Sequence, residues 1–558
     1  MEINQVSRFT LNPSVDIQRS KFERNSDVKF SFNVGDLVPF YVDEVLPGDT
    51  FSIDTSKVVR MQPLVAPIMD NLYLDTYWFF VPNRLVWDHW QEFCGENTGS
   101  AWTTSITYNV PKVKGSVGKQ ANNDSYLKYR WLPGDIADYM GIPVFSSDDP
   151  IMPTELLSVN ALPFRGYSLI WNEFFRDQNL QDPVPIPSAS NATLDNTALL
   201  YNRICNGSGI LKACKYHDYF TSCLPSPQKG PDVNIPLSGL AKVVTGDVSA
   251  DGITGNPISF ARASDRANIG YLNGNDQSKL SLNGVVDAPG NLVPNNLYAS
   301  LGSASLGTIN ELRLAFQMQR IYEKDARGGT RYTEILKNHF GVTSPDARLQ
   351  RPEYLGGSRI PININQVVQT SSTSNTPQGN TAAFSVTADV HSDFTKSFVE
   401  HGFIFGLCVA RYDHTYQQGL ERFWSRTDRF DYYWPSLANI GEQPVKRKEI
   451  YCTGDVDNDE RVFGYQEAWA DYRYKPSRVA GEMRSRVPNT LEVWHLADNY
   501  SGAPFLSDEW IQEDSANLNR SLAVSSSVSN QLWADIFIKN TSVRPMPIYS
   551  IPGLIDHY

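Results

Sequence analysis

Residues 69–93 read MDNLYLDTYWFFVPNRLVWDHWQEF and begin with a dense aromatic stretch. In an extended chain, successive side chains point to opposite faces. One face of this stretch carries Leu72, Leu74, Thr76, Trp78 and Phe80, and the other carries Tyr73, Asp75, Tyr77, Phe79 and Val81. Because both faces are bulky, we expect a β-strand that is covered on one side by a core. The other side would be covered by a further layer or a neighbouring subunit.

The second half of the same stretch predicts a short helix. Pro82 ends the strand, because proline cannot donate to a sheet. Asn83 is placed to cap the helix that follows. The apolar side of that helix is formed by Leu85, Val86, His89, Trp90 and Phe93.

The composition favours a mainly β protein. Of the 558 residues, 41% are hydrophobic and 20% are charged, and the chain contains 27 Tyr, 27 Phe, 12 Trp, 37 Gly and 34 Pro. Aromatic residues favour strands, and glycine and proline favour the turns between them. The length suits several domains or one β-sandwich with long insertions.

The chain shows no sequence signal for a membrane or for secretion. No apolar run approaches the roughly 20 residues of a membrane span, and MEINQVSRFT lacks the charged-then-apolar pattern of a signal peptide. We expect a soluble protein made in a cytoplasm. Its net charge of -12 argues against nucleic-acid binding over the whole surface but leaves a local basic patch open.

The cysteines do not form a recognisable metal site. The six are Cys94, Cys205, Cys214, Cys223, Cys408 and Cys452, and no two are in a CxxC pair. Cys205, Cys214 and Cys223 are evenly spaced around His217, but their spacing does not supply the close ligand pairs typical of zinc sites. We expect reduced structural thiols, no bound metal and no other cofactor.

We divide the chain into four segments. Residues 1–28 are a polar arm that is either a frayed terminus or becomes ordered on a neighbour. Residues 29–230 begin a β-sandwich with insertions, and residues 231–307 form a surface insertion. Residues 308–558 supply a helical insertion and the rest of the sandwich. Near the end, one face of a strand is expected to carry Leu532, Ala534, Ile536 and Ile538.

Helices are predicted in two of these segments. Ser168 is placed to start a helix with a core-facing arc formed by Leu169, Ile170, Trp171, Phe174 and Phe175. Thr308 and Glu311 form a capping box for a second helix, which runs to about Ala326. Gly328 and Gly329 end it, and a third helix ends at Gly341.

The composition changes sharply at residues 231–307, which are rich in Gly, Asn, Ser and Ala and almost devoid of Trp, Cys and Met. Two interpretations remain open: a disordered linker, or a long surface excursion ordered by packing against symmetry copies. Recurrent valine, leucine and isoleucine favour the second, because a solvating linker does not need them.

Several longer motifs resemble the major capsid protein of the gokushoviruses, small icosahedral single-stranded DNA phages of the Microviridae. They are VDEVLPGDTF at 42–51, the stretch at 69–93, ELRLAFQMQRIYEKDARGGTRYTEILKNHFG at 311–341, YQQGLER at 416–422, GEQPV at 441–445, FGYQEAWADYRYKPSRV at 463–479 and GEMRS at 481–485. The motifs flank the insertion on both sides, so the resemblance covers most of the chain outside it.

The resemblance implies a fold and a set of partners. The fold is an antiparallel eight-stranded jelly-roll β-sandwich with long loop and helical insertions, and residues 231–307 form a host-facing protrusion around the threefold axes. The partners are identical subunits of an icosahedral shell, encapsidated single-stranded DNA, a small basic DNA-binding protein, an internal scaffolding protein and a host surface receptor. The protein would belong to the virion and assemble in the bacterial host cytoplasm.

Two groups of residues are candidate contact sites. Aromatic side chains at sandwich edges bury area between copies, and five are expected to do so: Tyr77, Trp78, Phe79, Trp87 and Trp90. Candidate contacts to single-stranded DNA on the inner surface are Lys446, Arg447, Lys448, Tyr472, Arg473, Tyr474, Lys475 and Arg478. The alternative is that these cations pair with Glu442, Glu449, Asp471 and Glu482 or face water.

The sequence gives little support for an enzyme. It contains no GxSxG, HExxH, Walker A or strand-linked GxGxxG motif. Asp455, Asp457 and Asp459 imitate a calcium loop, but Glu460 replaces its glycine and Gln466 its bidentate glutamate, so we expect a solvated turn. We therefore predict a major capsid protein. The main rival is a β-rich adhesin or carbohydrate-binding module, and a glycosidase that uses paired carboxylates such as Asp148 and Asp149 is a third.

Overall fold

The computed structural model describes residues 17–96, 108–114, 116–117, 129–130, 133–143, 158–189, 210–230, 309–327, 332–341, 350–374 and 377–549, together with the strands between 237 and 306. The chain forms two compact units. The first contains Met1–Pro227 and Gly329–Tyr558, and the second contains Gln228–Gly328.

The strands of the described residues run in chain order as follows: β1 Ser20–Glu23, β2 Ser26–Phe32, β3 Val38–Val45, β4 Thr50–Leu64, β5 Leu72–Pro82, β6 Lys112–Lys114, β7 Ser116–Val117, β8 Tyr129–Arg130, β9 Ser158–Asn160, β10 Leu237–Ser238, β11 Lys242–Thr245, β12 Asp247–Ser249, β13 Gly252–Thr254, β14 Ser259–Arg262, β15 Asn268–Asn275, β16 Lys279–Gly284, β17 Leu292–Pro294, β18 Leu297–Ser300, β19 Ser305–Leu306, β20 Glu353–Pro361, β21 Ile364–Val368, β22 Thr381–Ser397, β23 Gly402–Tyr412, β24 Glu442–Lys446, β25 Val462–Glu467 and β26 Leu532–Arg544.

The α-helices of the same residues are α1 Asn83–Val86, α2 Trp90–Phe93, α3 Ile136–Tyr139, α4 Leu162–Ile170, α5 Ile309–Arg327, α6 Tyr332–Phe340, α7 Arg447–Ile450, α8 Val456–Asp459, α9 Asp508–Ile511 and α10 Ala516–Asn519. A π-helical turn at Trp171–Phe175 continues α4. Short 3-10 helices lie at Arg422–Ser425, Arg429–Asp431, Pro435–Leu437, Ala470–Tyr472, Gly481–Met483 and Glu492–Trp494.

Two antiparallel sheets form the sandwich of the first unit. The larger has the order β26–β4–β22–β21, with β1 and β2 both paired to β26, and the smaller has the order β20–β5–β23–β3. Strands β2 to β5 alternate between the sheets, as β22, β23 and β26 do, which is the connectivity of a jelly roll. The mainly β antiparallel sandwich is thus confirmed. The larger sheet has six strands, because β1 and β21 extend it, and the smaller has four, so the count of eight stays a prediction.

Strand β5 is covered on both faces, as the alternation of its side chains predicts. Leu72, Leu74, Trp78 and Phe80 join the core between the two sheets. Phe79 and Val81 join a second core, which lies between the smaller sheet and α4. The second layer therefore comes from the same chain. Strand β26 shows the predicted alternation too, with Leu532, Ala534, Ile536 and Ile538 buried.

Two local helix predictions are wrong, and both concern where a helix begins. Asn83 lies inside α1, where Pro82 holds the N-cap position, and the expected single helix is broken into α1 and α2. Helix α4 begins at Leu162, whose backbone N–H donates to the side chain of Asn160 at 2.9 Å. Ser168 lies within α4, and its hydroxyl donates to the carbonyl of Phe164 at 3.0 Å. The core role of the predicted arc is confirmed for Ile170, Trp171 and Phe175, which are buried, and Leu169 packs against the same core. It is wrong for Phe174, which is 37% exposed.

The predicted N-terminal arm is too long at its C-terminal end. Residues 1–16 lie outside the described residues. Residues 20–23 form β1 and residues 26–28 open β2, and both strands pair with β26. Residues 20–23 and 26–28 therefore belong to the sheet and not to an arm.

The second unit has its own secondary structure. Strands β14 to β17 form a four-stranded sheet, and β10–β19, β11–β18 and β12–β13 form antiparallel pairs. Helix α5 runs from Ile309 to Arg327, within one residue of the end expected from the capping box and Gly328. In the first unit, α6 ends at Phe340, and Gly341 follows with a φ of 69°, as expected for a glycine C-cap.

Candidate nucleic-acid interface

A cleft of about 910 Å³ opens in the loops that follow β23. Residues 416–426 form one wall and residues 471–480 form another. Tyr219, Phe220, Glu449 and Arg484 complete the lining. The cleft therefore collects side chains from parts of the chain up to 265 positions apart, all within the first unit.

The first wall is held in place by close backbone contact with the segment around α7. Leu420 donates to the carbonyl of Lys448 at 2.8 Å, and Cys452 donates to the carbonyl of Gln418 at 3.0 Å. A Cβ atom at Gly419 would lie 2.0 Å from the carbonyl oxygen of Glu449. Only glycine allows this approach, so the glycine of the YQQGLER motif is required for the shape of the cleft.

The lining of the cleft is net positive although the whole chain is acidic. It contains the cations Arg422, Arg426, Arg473, Lys475, Arg478 and Arg484 and the carboxylates Glu421, Glu449 and Asp471. Six positive and three negative groups give a net charge of +3, compared with -12 for the chain. A concave surface of one sign concentrates its field on a ligand of the opposite sign.

Some of these cations are neutralised within the cleft. Arg426 forms an ion pair with Asp471, and Lys475 forms one with Glu421. Arg422 lies 3.5 Å from Glu449. In contrast, Arg478 and Arg484 are exposed and form no ion pair with the described residues. Their charges are the ones left for an anionic ligand.

Aromatic rings alternate with the cations along the cleft. The guanidinium of Arg426 lies 4.3 Å from the ring centre of Tyr472, and Lys475 Nζ lies 5.2 Å from that of Phe423. Phe423 contacts Trp424 with ring centres 4.6 Å apart and ring planes tilted by 36°. Trp424 is 68% exposed and Tyr472 is 52% exposed. Exposed rings beside cations are what a single-stranded nucleic acid needs for base stacking and phosphate contact.

The floor of the cleft is a buried carboxylic acid, Glu449. Its Oε2 accepts a hydrogen bond of 3.0 Å from the hydroxyl of Tyr219, and its Oε1 accepts one from the backbone of Lys446 at 3.0 Å. Burial raises the pKa of Glu449, and the nearby Arg422 opposes that rise. These hydrogen bonds hold Glu449 in place beneath Arg422.

The structure separates the two halves of the predicted basic patch. Lys446 and Lys448 both form ion pairs with Glu460, and Lys448 Nζ is 2.5 Å from Glu460 Oε1. Arg447 is 6% exposed, stacks over Phe505 at 4.0 Å and donates to Asn458 at 2.8 Å. These three cations are thus occupied by charge pairing or packing within the chain. The acid partner of the two lysines is Glu460, which was not among the four acids expected. Arg447 has no surface left for a phosphate.

The second half of the patch lies at the cleft. Tyr472, Arg473, Tyr474, Lys475 and Arg478 all line it. Tyr474 stacks on Tyr219 with ring centres 5.1 Å apart and planes 6° apart, so one of its faces is covered. Arg473 also pairs with Glu467 on β25. Contact of these five residues with DNA stays a prediction.

Most of the first wall lies outside the contact sites predicted from the sequence. Arg422, Phe423, Trp424 and Arg426 line the cleft, as does Arg484 in the GEMRS motif. The signal was present in the letters ERFWSR at 421–426, where cations alternate with rings. This pattern does not by itself indicate a cleft, because the partner wall lies about fifty residues further along the chain.

The prediction of aromatic residues at a subunit interface is wrong for three of the five. Trp78 and Trp87 are 0% exposed and Phe79 is 1% exposed, because the two cores of their own subunit enclose them. These three have no area to offer a neighbouring copy. Tyr77 and Trp90 are partly exposed, so for these two the interface role stays a prediction.

The candidate metal ligands that the structure describes do not form a metal site. Among the described residues, no group of three or more His, Cys, Asp or Glu side chains is arranged to hold a metal ion. Cys214 and Cys223 are buried and His217 is exposed, while Cys205 lies outside the described residues. Asp455 caps α8, and Asp459 is buried and accepts from the backbone of Thr453 and Gly454.

In the part of the chain that the structure describes, no helix is both long and apolar enough to cross a membrane.

The jelly-roll sandwich is the fold of viral capsid subunits and also of lectins and cupins, and the relatives of this chain decide between these classes. The chain matches the family of the capsid protein (F protein) over residues 11–554. It is 39% identical to capsid protein VP1 of Chlamydia phage 1, with 98% of each chain covered. It is 40% identical to capsid protein VP1 of Bdellovibrio phage phiMH2K and 41% identical to that of Spiroplasma virus 4, with 99% of this chain and 98% of each relative covered.

The chain belongs to the capsid protein (F protein) family of phages. The resemblance to gokushovirus major capsid proteins is therefore confirmed. Copies of the chain assemble with one another into the capsid of a virion.

Proposed function

We propose that this capsid protein encloses single-stranded DNA in an icosahedral shell and contacts that DNA through the basic aromatic cleft. The observation that carries the proposal is the net positive, ring-lined cleft on a chain whose net charge is -12. DNA is a polyanion, so the negative charge on the rest of the surface repels it. Contact with DNA is therefore favoured at the positively charged cleft.

The roles of the lining residues follow from their exposure. Arg478 and Arg484 supply charge for phosphate groups. Trp424 and Tyr472 supply exposed faces on which unpaired bases stack, which binds any base sequence. Arg426 is already paired with Asp471 and holds the ring of Tyr472 in position. The cleft thus suits sequence-independent binding of a flexible single strand.

The test measures the binding of an oligothymidylate to unassembled subunits over a range of salt concentrations. Arg478→Gln is expected to reduce the slope of log affinity against log salt by about 0.7, the value for one phosphate contact on a single strand. Trp424→Ala is expected to weaken binding roughly tenfold, because it removes one stacking ring. Arg60→Gln, an exposed arginine on β4 outside the cleft lining, is the matched control.

The proposal fails if Arg478→Gln and Trp424→Ala bind the oligonucleotide like the unaltered protein. It also fails if Arg60→Gln weakens binding equally, since the effect would then be one of net charge. The cluster Lys446, Arg447 and Lys448 is not a clean test, because substitution there breaks the pairing with Glu460.

We further infer that the insertion at 231–307 takes part in host attachment and rises around the threefold axes. The support is that Gln228–Gly328 forms a compact unit of its own, whose strands pair with one another. The sequence of such a unit can vary without disturbing the strand pairing of the sandwich. Removal of most of 231–307 is expected to reduce adsorption to host cells while soluble protein is still produced, and unchanged adsorption would contradict the role.

The remaining partners belong to the same proposal. An acidic shell protein leaves most genome charge to be neutralised by another component, and a small basic DNA-binding protein fits that need. An internal scaffolding protein during assembly and a receptor on the host surface complete the set. The proposal includes no catalytic role.

A further inference from the structure

Residues 427–436, with the sequence TDRFDYYWPS, are all exposed and contain four large rings. Phe430 is 64% exposed, Tyr432 52%, Tyr433 46% and Trp434 41%. We call this segment the aromatic ridge. Its four rings lie outside the lining of the cleft, and we propose that the aromatic ridge is a contact surface for a second copy of this chain.

The rings of the aromatic ridge are exposed but fixed. Trp434 Nε1 donates to the carbonyl of Arg429 at 3.1 Å, and the guanidinium of Arg429 lies 4.9 Å from the Trp434 ring centre. The backbone N–H of Tyr433 donates to the hydroxyl of Tyr472 at 3.3 Å. Rings that are already ordered lose little conformational entropy on binding, which favours their use as interface anchors.

The charge of the aromatic ridge favours a protein partner over nucleic acid. Its charged residues are Asp428, Arg429 and Asp431, which give a net charge of -1. Backbone hydrogen bonds from Asp428 and Thr427 lower the pKa of Asp431, so this carboxylate stays ionised. A polyanion would gain no charge neutralisation here, in contrast to the neighbouring cleft.

Area and composition point to another subunit. At the exposures given above, the four rings offer about 400 Å², about half of one side of a standard interface. The segment contains no Lys or Glu, and it concentrates the Tyr, Trp, Phe and Arg residues that anchor protein interfaces. Because this capsid protein assembles with identical copies, a second copy is the partner that every subunit meets.

The first experiment is hydroxyl-radical footprinting of free subunits, empty particles and DNA-filled particles. Oxidation of Phe430, Tyr432 and Trp434 is expected to fall at least fivefold on assembly, equally in empty and filled particles. Protection only in filled particles would assign the rings to nucleic acid and overturn the proposal. No protection in either kind of particle would also overturn it.

The second experiment uses the double variant Phe430→Ala/Tyr432→Ala. Both side chains are more than half exposed, so the subunit should keep its unfolding temperature. The subunit concentration for half-maximal assembly, measured by light scattering, is expected to rise at least tenfold. Phe340→Ala, which removes a ring that is 74% exposed at the end of α6, is the control. Normal assembly of the double variant, or an equal defect in the control, would contradict the proposal.

Discussion

His414 forms a buried ion pair with Asp498, in which Nδ1 and Oδ1 are 3.0 Å apart. The other ring nitrogen, Nε2, lies 3.1 Å from Oε1 of Glu513, and the three side chains are at most 5% exposed. Burial alone would lower the pKa of His414, but the two carboxylates raise it to about 10. Burial alone would raise the pKa of Asp498, but the charge of His414 lowers it. The cluster thus ties the segment after β23 to the C-terminal part of the chain.

The raised pKa of His414 predicts a loss of stability toward alkaline pH. The contribution is complete below the unfolded pKa near 6.5 and is lost as pH rises to about 10. Within this window the folded state holds one proton that the unfolded state has lost. The free energy of unfolding therefore falls by about 1.4 kcal/mol for each unit of rising pH. Urea denaturation of unassembled subunits at several pH values measures this slope. The control His217→Gln, at an exposed histidine, should show the same slope as the unaltered protein. If the slope also persists in His414→Gln, His414 is not its cause.

Substitution of His414 is expected to destabilise the protein strongly at pH 7, and a second substitution should restore part of the lost stability. His414→Gln leaves the carboxylates of Asp498 and Glu513 buried without their cation, which is expected to cost about 3–5 kcal/mol. A second substitution, Glu513→Gln, removes one of the two charges and should restore part of that loss. If the double variant is no more stable than the single one, charge is not the cause.

Removal of the buried charge of Asp75, on β5 of the smaller sheet, is also expected to destabilise the protein. It is 1% exposed and accepts from Arg411 at 2.6 Å, from Arg359 at 2.8 Å and from the hydroxyl of Tyr216 at 2.8 Å. Asp75→Asn leaves the buried Arg411 without its counter-ion, with an expected loss of about 3–5 kcal/mol in denaturant unfolding. Asp457→Asn, at an exposed aspartate, should change stability by less than about 0.5 kcal/mol.

Two glycines provide a matched pair for the packing of β20 on β5. A Cβ atom at Gly357 would lie 2.1 Å from the carbonyl oxygen of Thr76, whereas a Cβ atom at Gly502 would meet nothing within 4 Å. Gly357→Ala is expected to cost about 1–3 kcal/mol or more, because backbone must move. Gly502→Ala should be close to neutral. Equal thermal midpoints of the two variants would show that the sheet can adjust.

The thiols predict a two-stage labelling pattern. Cys94 and Cys452 are exposed, whereas Cys214, Cys223 and Cys408 are buried. Burial raises the pKa of Cys214 to about 12 and raises that of Cys408 as well, so little thiolate is present at neutral pH. A disulfide-exchange reagent should modify Cys94 and Cys452 in native subunits and the three buried thiols only after denaturation, as followed by peptide mass spectrometry. Fast native labelling of Cys408 would contradict the packing of β23.

Local patterns predicted the parts of the structure that depend on near neighbours. The alternation along β5 and β26 defined their buried faces, and the glycines after α5 and α6 marked where those helices end. Starts of helices were less reliable. Asn83 and Ser168 are good caps in isolation, but the two helices begin at Asn83 and Leu162, with Pro82 and Ala161 in the N-cap positions.

The sequence by itself determined that this protein is a β-sandwich of the phage capsid class, because side-chain alternation and long motifs are properties of contiguous residues. Only the tertiary structure decided which aromatic residues are core and which are surface, since Trp78 and Trp87 are enclosed by strands and helices distant in sequence. It also decided that Lys446 and Lys448 pair with Glu460 while Arg478 stays open at the cleft. The physical reason is that burial and charge pairing depend on distances in space, which the order of residues does not contain.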